Sequence, residues 1–118
     1  MAVVDSVSRP THGLRDWLLQ RITAVYLSGF LLYLALHFYV QPRHTYQQWH
    51  DWITHPAMSV ASAAFILAVL VHGWVGMRDI VLDYVHTLRL RLLLLSLIAL
   101  IIAGCGLWAL QILLLAAA

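Results

Sequence analysis

Three long runs of apolar residues, separated by short polar segments, dominate the hydropathy pattern of the chain. They cover residues 22–40, 57–77 and 92–118. Each run supplies about the 20 residues that an α-helix needs to cross roughly 30 Å of hydrocarbon. A helix of a soluble bundle would carry polar residues at every third or fourth position, and these runs do not. The pattern therefore predicts an all-α membrane protein with three transmembrane helices.

The three predicted helices, called here the first, second and third spans, form a single membrane domain over residues 1–118. They are expected to cover about residues 15–40, 57–86 and 89–116. The composition agrees, because 63% of the residues are hydrophobic and only 10% are charged, far from the balance of a soluble domain. The first span is too long for a secretion signal, and no small-residue cleavage site follows it. We therefore expect it to remain in the mature protein.

The basic residues, all of them arginine, are distributed unevenly between the two sides of the predicted spans. Six lie before or at the start of the first span, or around the turn between the second and third: Arg9, Arg15, Arg21, Arg78, Arg89 and Arg91. Only Arg43 lies in the other connection, a predicted loop over residues 41–56. Arginine accumulates on the cytoplasmic side of membrane proteins. We therefore expect a cytoplasmic N-terminus and a C-terminus on the outer, periplasmic side.

The second span carries ionisable residues that are costly inside a bilayer. His72, Gly76, Asp79 and Asp83 fall within about 60° of one another at about 100° per residue. One face therefore carries an imidazole, a position without a side chain and two carboxylates, while Arg78 projects from another face. Ionisable residues within a span usually face a bundle interior, a cavity or a bound group. This face is the candidate functional surface.

The sequence leaves three roles open for His72. It can be a neutral imidazole hydrogen-bonded to a neighbouring helix, a proton relay, or a ligand of a metal or of haem iron. Gly76, on the same face, can leave room for a flat macrocycle. Alternatively, Gly73 and Gly76 can allow two helices to pack closely.

A haem with two axial histidines would need a second imidazole at the depth of His72. His37 is the only other histidine well inside an apolar run, and it should lie about 7–15 Å deeper in the membrane. One iron cannot bind both rings across that difference. A second ligand to a six-coordinate haem should therefore come from another polypeptide, and we expect His37 to lie near the outer headgroups.

Two interpretations fit Asp83 and Tyr84, at the cytoplasmic end of the second span. They can be an ordinary interfacial charge and an interfacial aromatic residue. Alternatively, the Tyr84 phenol hydrogen-bonds a carbonyl of a lipid-soluble ligand while a neighbouring charged group handles protons. Asp79 can form a simple charge pair with Arg78 or Arg89.

Three stretches of the sequence resemble one protein family. The segment from His72 to Tyr84 reads H-x-x-x-G-x6-D-Y, residues 14–27 read LRDWLLQRITAVYL, and residues 88–92 read LRLRL. With the chain length and the three spans, these stretches resemble the small hydrophobic membrane-anchor (D) subunits of bacterial succinate dehydrogenase. That enzyme is the succinate:quinone oxidoreductase of respiratory complex II. The resemblance covers nearly the whole chain.

The resemblance implies that His72 is one axial ligand of a b-type haem, whose second ligand comes from a second hydrophobic anchor subunit. It also implies that Arg21 faces a haem propionate. Arg15 stands where some members of the family carry a histidine, so Arg15 or His12 would make the other propionate contact.

The resemblance further implies that Tyr84 hydrogen-bonds the quinone and that Asp83 supports this quinone site. Electrons from succinate would arrive through a flavoprotein subunit and an iron–sulfur subunit, so this chain would hold no complete active site of its own. The implied location is the bacterial cytoplasmic (inner) membrane, with lipid around the spans and no nucleic-acid partner.

Two other functions stay open for this sequence. One is a haem-free structural anchor of a related complex. The other is a small proton- or cation-conducting oligomer. Conduction would need polar residues at several depths on more than one span, and the third span offers only Ser96 and Gln111.

Overall fold

The computed structural model describes residues 10–42 and 44–118, with side chains from residue 13 onward. Arg9, Arg43 and the side chain of His12, which entered the predictions above, lie outside the described residues. The described residues form four helices: α1 (Pro10–Val40), α2 (Tyr46–Thr54), α3 (Pro56–Tyr84) and α4 (Leu88–Ala117).

The long helices α1, α3 and α4 correspond to the three predicted spans. Each contains a stretch that is long and apolar enough to cross a membrane: Gly13–Val40, Pro56–Tyr84 and Leu88–Ala117. This confirms the prediction of an all-α protein with three candidate transmembrane helices. α1 begins ahead of the predicted residue 15, and α3 ends ahead of the predicted residue 86 because the backbone at Val85 is extended.

The connection between α1 and α3 contains a helix, so the prediction of a loop over residues 41–56 was wrong. Thr45 and Gln48 form a capping box at the start of α2. The Gln48 N–H donates to the Thr45 hydroxyl oxygen at 3.2 Å, and the Thr45 N–H donates to the Gln48 side-chain oxygen at 3.2 Å. These bonds satisfy two backbone donors that a helix start otherwise leaves free. α2 packs against α3 and α4, and we call this extremity of the bundle the α2 end.

α3 is the central helix of the bundle. Both α1 and α4 pack along it, and within the described residues α1 and α4 make no backbone contact with each other. At Gly106 of α4 the approach is close, because an added Cβ would lie 2.6 Å from Cδ1 of Leu70 on α3. Most other large apolar side chains are exposed, which suits helices that face lipid or another membrane chain.

Side-chain contacts set the antiparallel register of α1 against α3. Toward the α2 end, Phe30 stacks on Phe65 with ring centroids 4.8 Å apart. The Tyr26 hydroxyl donates to the carbonyl oxygen of Ala61 at 2.7 Å. Further toward the start of α1, Asp16 pairs with Arg78 of α3. Moving from Phe30 back to Asp16 along α1 thus corresponds to moving from Phe65 forward to Arg78 along α3, so the two helices are antiparallel. The start of α1 therefore lies beside the end of α3, and we call that extremity, which includes residues 85–87, the turn end.

An ion pair fixes the same two helices at the turn end. A terminal nitrogen of Arg78 lies 2.6 Å from a carboxylate oxygen of Asp16 on α1 and 3.0 Å from one of Asp79. The Arg78–Asp79 contact confirms the predicted charge pair. The Asp16 contact was not predicted, because a helical projection gives the direction of Cβ and not the reach of a long guanidinium side chain.

We expect Asp16→Asn to weaken the attachment of α1 to α3 by about 1 kcal/mol, because Arg78 then loses its interhelical carboxylate in a partly solvated setting. The measurement is the temperature at which the protein, purified in its native assembly, loses half of its helical circular dichroism. That temperature should fall.

Asp51→Asn is the matched control, because the Asp51 side chain is 67% exposed and its hydrogen-bond partner, Gln47, lies on the same helix. It should leave the unfolding temperature unchanged. An equal fall in both variants would show that the Asp16–Arg78 pair has no particular role in holding α1 to α3.

Candidate functional site

His72 lies at the α1–α3 interface, where its ring meets a hydroxyl of the other helix. Nδ1 of His72 is 3.1 Å from the hydroxyl oxygen of Thr23 on α1. Thr23 is buried and only 9% exposed, whereas His72 is half-buried. Among the described residues, no hydrogen bond reaches the other ring nitrogen, Nε2. The imidazole is therefore held from one side by α1.

Gly76, one turn further along α3, also faces α1. A Cβ added at Gly76 would lie 3.3 Å from the side-chain nitrogen of Gln20, whereas one added at Gly73 would meet no heavy atom within 4 Å. Gly76 therefore lies close to the Gln20 side chain of α1. The side-chain oxygen of Gln20 is buried and has no hydrogen-bond partner within the described residues.

Asp83 and Tyr84 lie at the turn end, about 16 Å along α3 from His72. Both are exposed, and the Tyr84 side chain is 79% exposed. Arg91 of α4 binds the backbone at the end of α3. Its guanidinium donates to the carbonyl oxygen of Val85 at 3.0 Å and to that of Leu82 at 3.3 Å. The two candidate quinone residues therefore sit on a segment whose backbone is tied to α4, and not beside His72.

Arg15 and Arg21 are exposed on α1, in its part nearest the turn end. The Arg21 guanidinium carbon lies 5.6 Å from the ring centroid of Trp17. Arg21 is two residues from Thr23, which places it about 160° round the helix axis. Within residues 10–42 and 44–118, neither arginine pairs with a carboxylate, and the structure does not bring either of them to His72.

His37 lies in an aromatic cluster at the α2 end. Its ring stacks on Trp52 with centroids 4.4 Å apart and planes 6° apart, and His44 stacks on it at 5.2 Å. His72 is level with Thr23, and His37 lies about 21 Å further along α1 from Thr23. The expectation that the two histidines lie at different depths is confirmed, with a separation larger than expected.

Sequence reasoning missed four residues that shape this region: Asp16, Gln20, Thr23 and Arg91. A threonine and a glutamine on one side of α1 were visible as polar positions at the edge of an apolar run. Their partners were not visible, because contacts between helices depend on a register that the sequence pattern does not state. Arg91 could have been suspected, since basic side chains often bind the last carbonyls of a helix.

Comparison with known proteins gives the family. The family model described as the succinate dehydrogenase/fumarate reductase transmembrane subunit matches residues 4–107. The succinate dehydrogenase hydrophobic membrane anchor subunit of Coxiella burnetii (strain RSA 493 / Nine Mile phase I) is 35% identical to this chain over 113 residues. This match covers 96% of this chain and 96% of that protein.

The matches and the three apolar helices agree with each other and with the resemblance seen in the sequence. They give a multi-pass protein of the bacterial inner membrane, as expected. The chain belongs to the family of succinate dehydrogenase/fumarate reductase transmembrane subunits.

Proposed function

We propose that this chain is the hydrophobic anchor of a succinate dehydrogenase, that it shares the ligation of a b-type haem with a second anchor subunit, and that it forms part of the quinone-reduction site. The observation that carries this proposal is the hydrogen bond between His72 Nδ1 and Thr23 within the membrane helices. Histidines that bind a metal through one ring nitrogen usually have the other nitrogen held by a second group. His72 has that arrangement.

His72 is the residue of this chain that would hold the haem iron. His37 lies about 21 Å away along the bundle, too far to belong to the same site. A second residue that holds the iron would therefore come from the second anchor subunit. Arg21 and Arg15 are exposed and without carboxylate partners among the described residues. They lie apart from His72, so their guanidinium groups would contact only propionates that extend to their part of α1. When bound, the haem supplies a one-electron redox centre near the quinone site.

The turn end supplies the groups expected of a quinone site. The Tyr84 phenol would donate a hydrogen bond to a quinone carbonyl, and the exposed carboxylate of Asp83 would hold or pass a proton beside it. Arg91 supports this role because it binds carbonyls on both sides of this pair of residues. Quinone reduction consumes protons, so groups exposed at a membrane edge suit it better than groups enclosed by helices.

The turn end would face the cytoplasm, with the N-terminus on that side and the C-terminus on the periplasmic side. Antiparallel packing brings Arg15 and Arg21 of α1 to the same extremity as Arg78, Arg89 and Arg91. Basic residues favour the cytoplasmic side. This extremity would dock the iron–sulfur subunit, with the flavoprotein subunit beyond it. The chain would then contribute to an oxidoreductase without a complete active site of its own.

We expect His72→Ala to weaken haem binding by more than about tenfold, because this chain would lose the residue that holds the iron. The measurement is the reduced-minus-oxidised spectrum and the ferric low-spin signature of the purified complex. His37→Ala is the control and should keep both. A His72→Ala complex with full haem content and an unchanged axial signature would refute the ligand assignment, and a wild-type complex without b-type absorbance would favour a haem-free anchor.

We expect Tyr84→Phe to lower kcat/KM for quinone by roughly 5- to 10-fold, the value of one hydrogen bond, while succinate oxidation by a soluble dye stays intact. Tyr39→Phe is the matched control, since Tyr39 is 84% exposed and lies on α1 near the α2 end. Unchanged quinone kinetics in Tyr84→Phe would remove this tyrosine from the quinone site.

A further inference from the structure

We propose that Thr23 is a positioning residue that fixes the tautomer and orientation of His72, so that the unprotonated Nε2 is offered to the haem iron. The inference rests on the proposed role of His72 as an axial ligand. It concerns a residue on another helix, which would contact neither iron nor quinone in this scheme.

The argument begins with the single proton of the Thr23 hydroxyl. Its oxygen lies 2.6 Å from the carbonyl oxygen of Leu19 and 3.2 Å from that of Gln20, both on α1. Two oxygens 2.6 Å apart need a hydrogen between them, because lone pairs would otherwise repel at that distance. The backbone carbonyl can only accept. The Thr23 proton is therefore directed to Leu19.

The remaining hydrogen-bonding capacity of the Thr23 oxygen is that of an acceptor. His72 Nδ1, 3.1 Å away, must then carry the proton and donate it to Thr23. A neutral imidazole protonated at Nδ1 is unprotonated at Nε2. The pair of distances to Leu19 and to His72 therefore selects the one neutral tautomer that can bind a metal through Nε2.

Thr23 is well suited to hold this geometry. A β-branched side chain in a helix has restricted rotation about its first side-chain bond, and a threonine hydroxyl commonly bonds the carbonyl four residues earlier. The residue is 9% exposed, so little water competes for the hydroxyl. The bond to His72 also joins α1 to α3. A purely structural role for Thr23 would account for this bond as well, so the experiment must separate the two roles.

The test is Thr23→Val, which keeps the β-branched shape and removes the hydroxyl, compared with Thr23→Ser, which keeps the hydroxyl. Both are made in the full complex. In Thr23→Val the ring loses its acceptor, so we expect haem to dissociate about 10-fold faster. We also expect the ferric low-spin electron paramagnetic resonance signal to shift and the haem reduction potential to rise, because imidazole that no longer donates is a weaker electron donor. Thr23→Ser should restore all three.

Ser62→Ala is the control, because Ser62 is an equally buried hydroxyl residue of α3, 9% exposed, that lines a different part of the bundle with Phe65. It should leave the haem signal and potential unchanged. A Thr23→Val complex that only unfolds at a lower temperature, with wild-type haem dissociation, resonance signal and potential, would overturn the inference and leave Thr23 a structural tie.

The outcomes also separate this inference from the proposed function. Haem loss in His72→Ala with wild-type haem properties in Thr23→Val rejects the role of Thr23 alone. Wild-type haem properties in both variants reject His72 as the ligand. If Thr23→Val fails to assemble, Thr23→Ser must show the wild-type signal and potential, and a signal in Thr23→Ser that differs from wild type overturns the inference.

Discussion

The structure depends on one constraint: a polar group placed between membrane helices needs a partner from within the protein. The α1–α3 interface meets this constraint at three levels, whereas the buried side-chain oxygen of Gln20 has no partner among the described residues. Arg78 reaches Asp16 at the turn end, His72 meets Thr23 further in, and Tyr26 bonds a backbone carbonyl beyond them. Each contact joins α1 to α3 in one register. Apolar packing alone would fix that register less specifically, because lipid tails are as apolar as the side chains of the neighbouring helix.

These contacts also divide the chain into regions of different chemistry. The half-buried imidazole of His72 lies within the span, and the exposed pair Asp83 and Tyr84 lies at its edge. About 16 Å of helix separates them. A redox group held at His72 and a substrate bound near Tyr84 would therefore be neighbours without sharing ligands. α3 carries both regions, which explains why one short motif in the sequence contains nearly all of the costly residues.

The spans were predictable because hydrocarbon imposes a minimum length and forbids free backbone groups. α2 was missed although its capping box, Thr45 with Gln48, was present in the sequence. Its aromatic and histidine residues resembled an interfacial loop. A glycine such as Gly76 is compatible with a cofactor and with a neighbouring helix, and the sequence does not show that Gln20 of α1 lies beside it. The contact of Thr23 with His72 could not be predicted, because the two residues lie on different helices.

The contact between Arg91 and the end of α3 lowers the cost of covering this edge of the protein with another surface. The last carbonyls of a helix normally keep a shell of water, and removing that shell is costly. Here the guanidinium already occupies the oxygens of Leu82 and Val85. A protein surface laid over the turn would have less hydration to remove from these two oxygens, so part of the energetic penalty of covering this edge is met before any partner arrives.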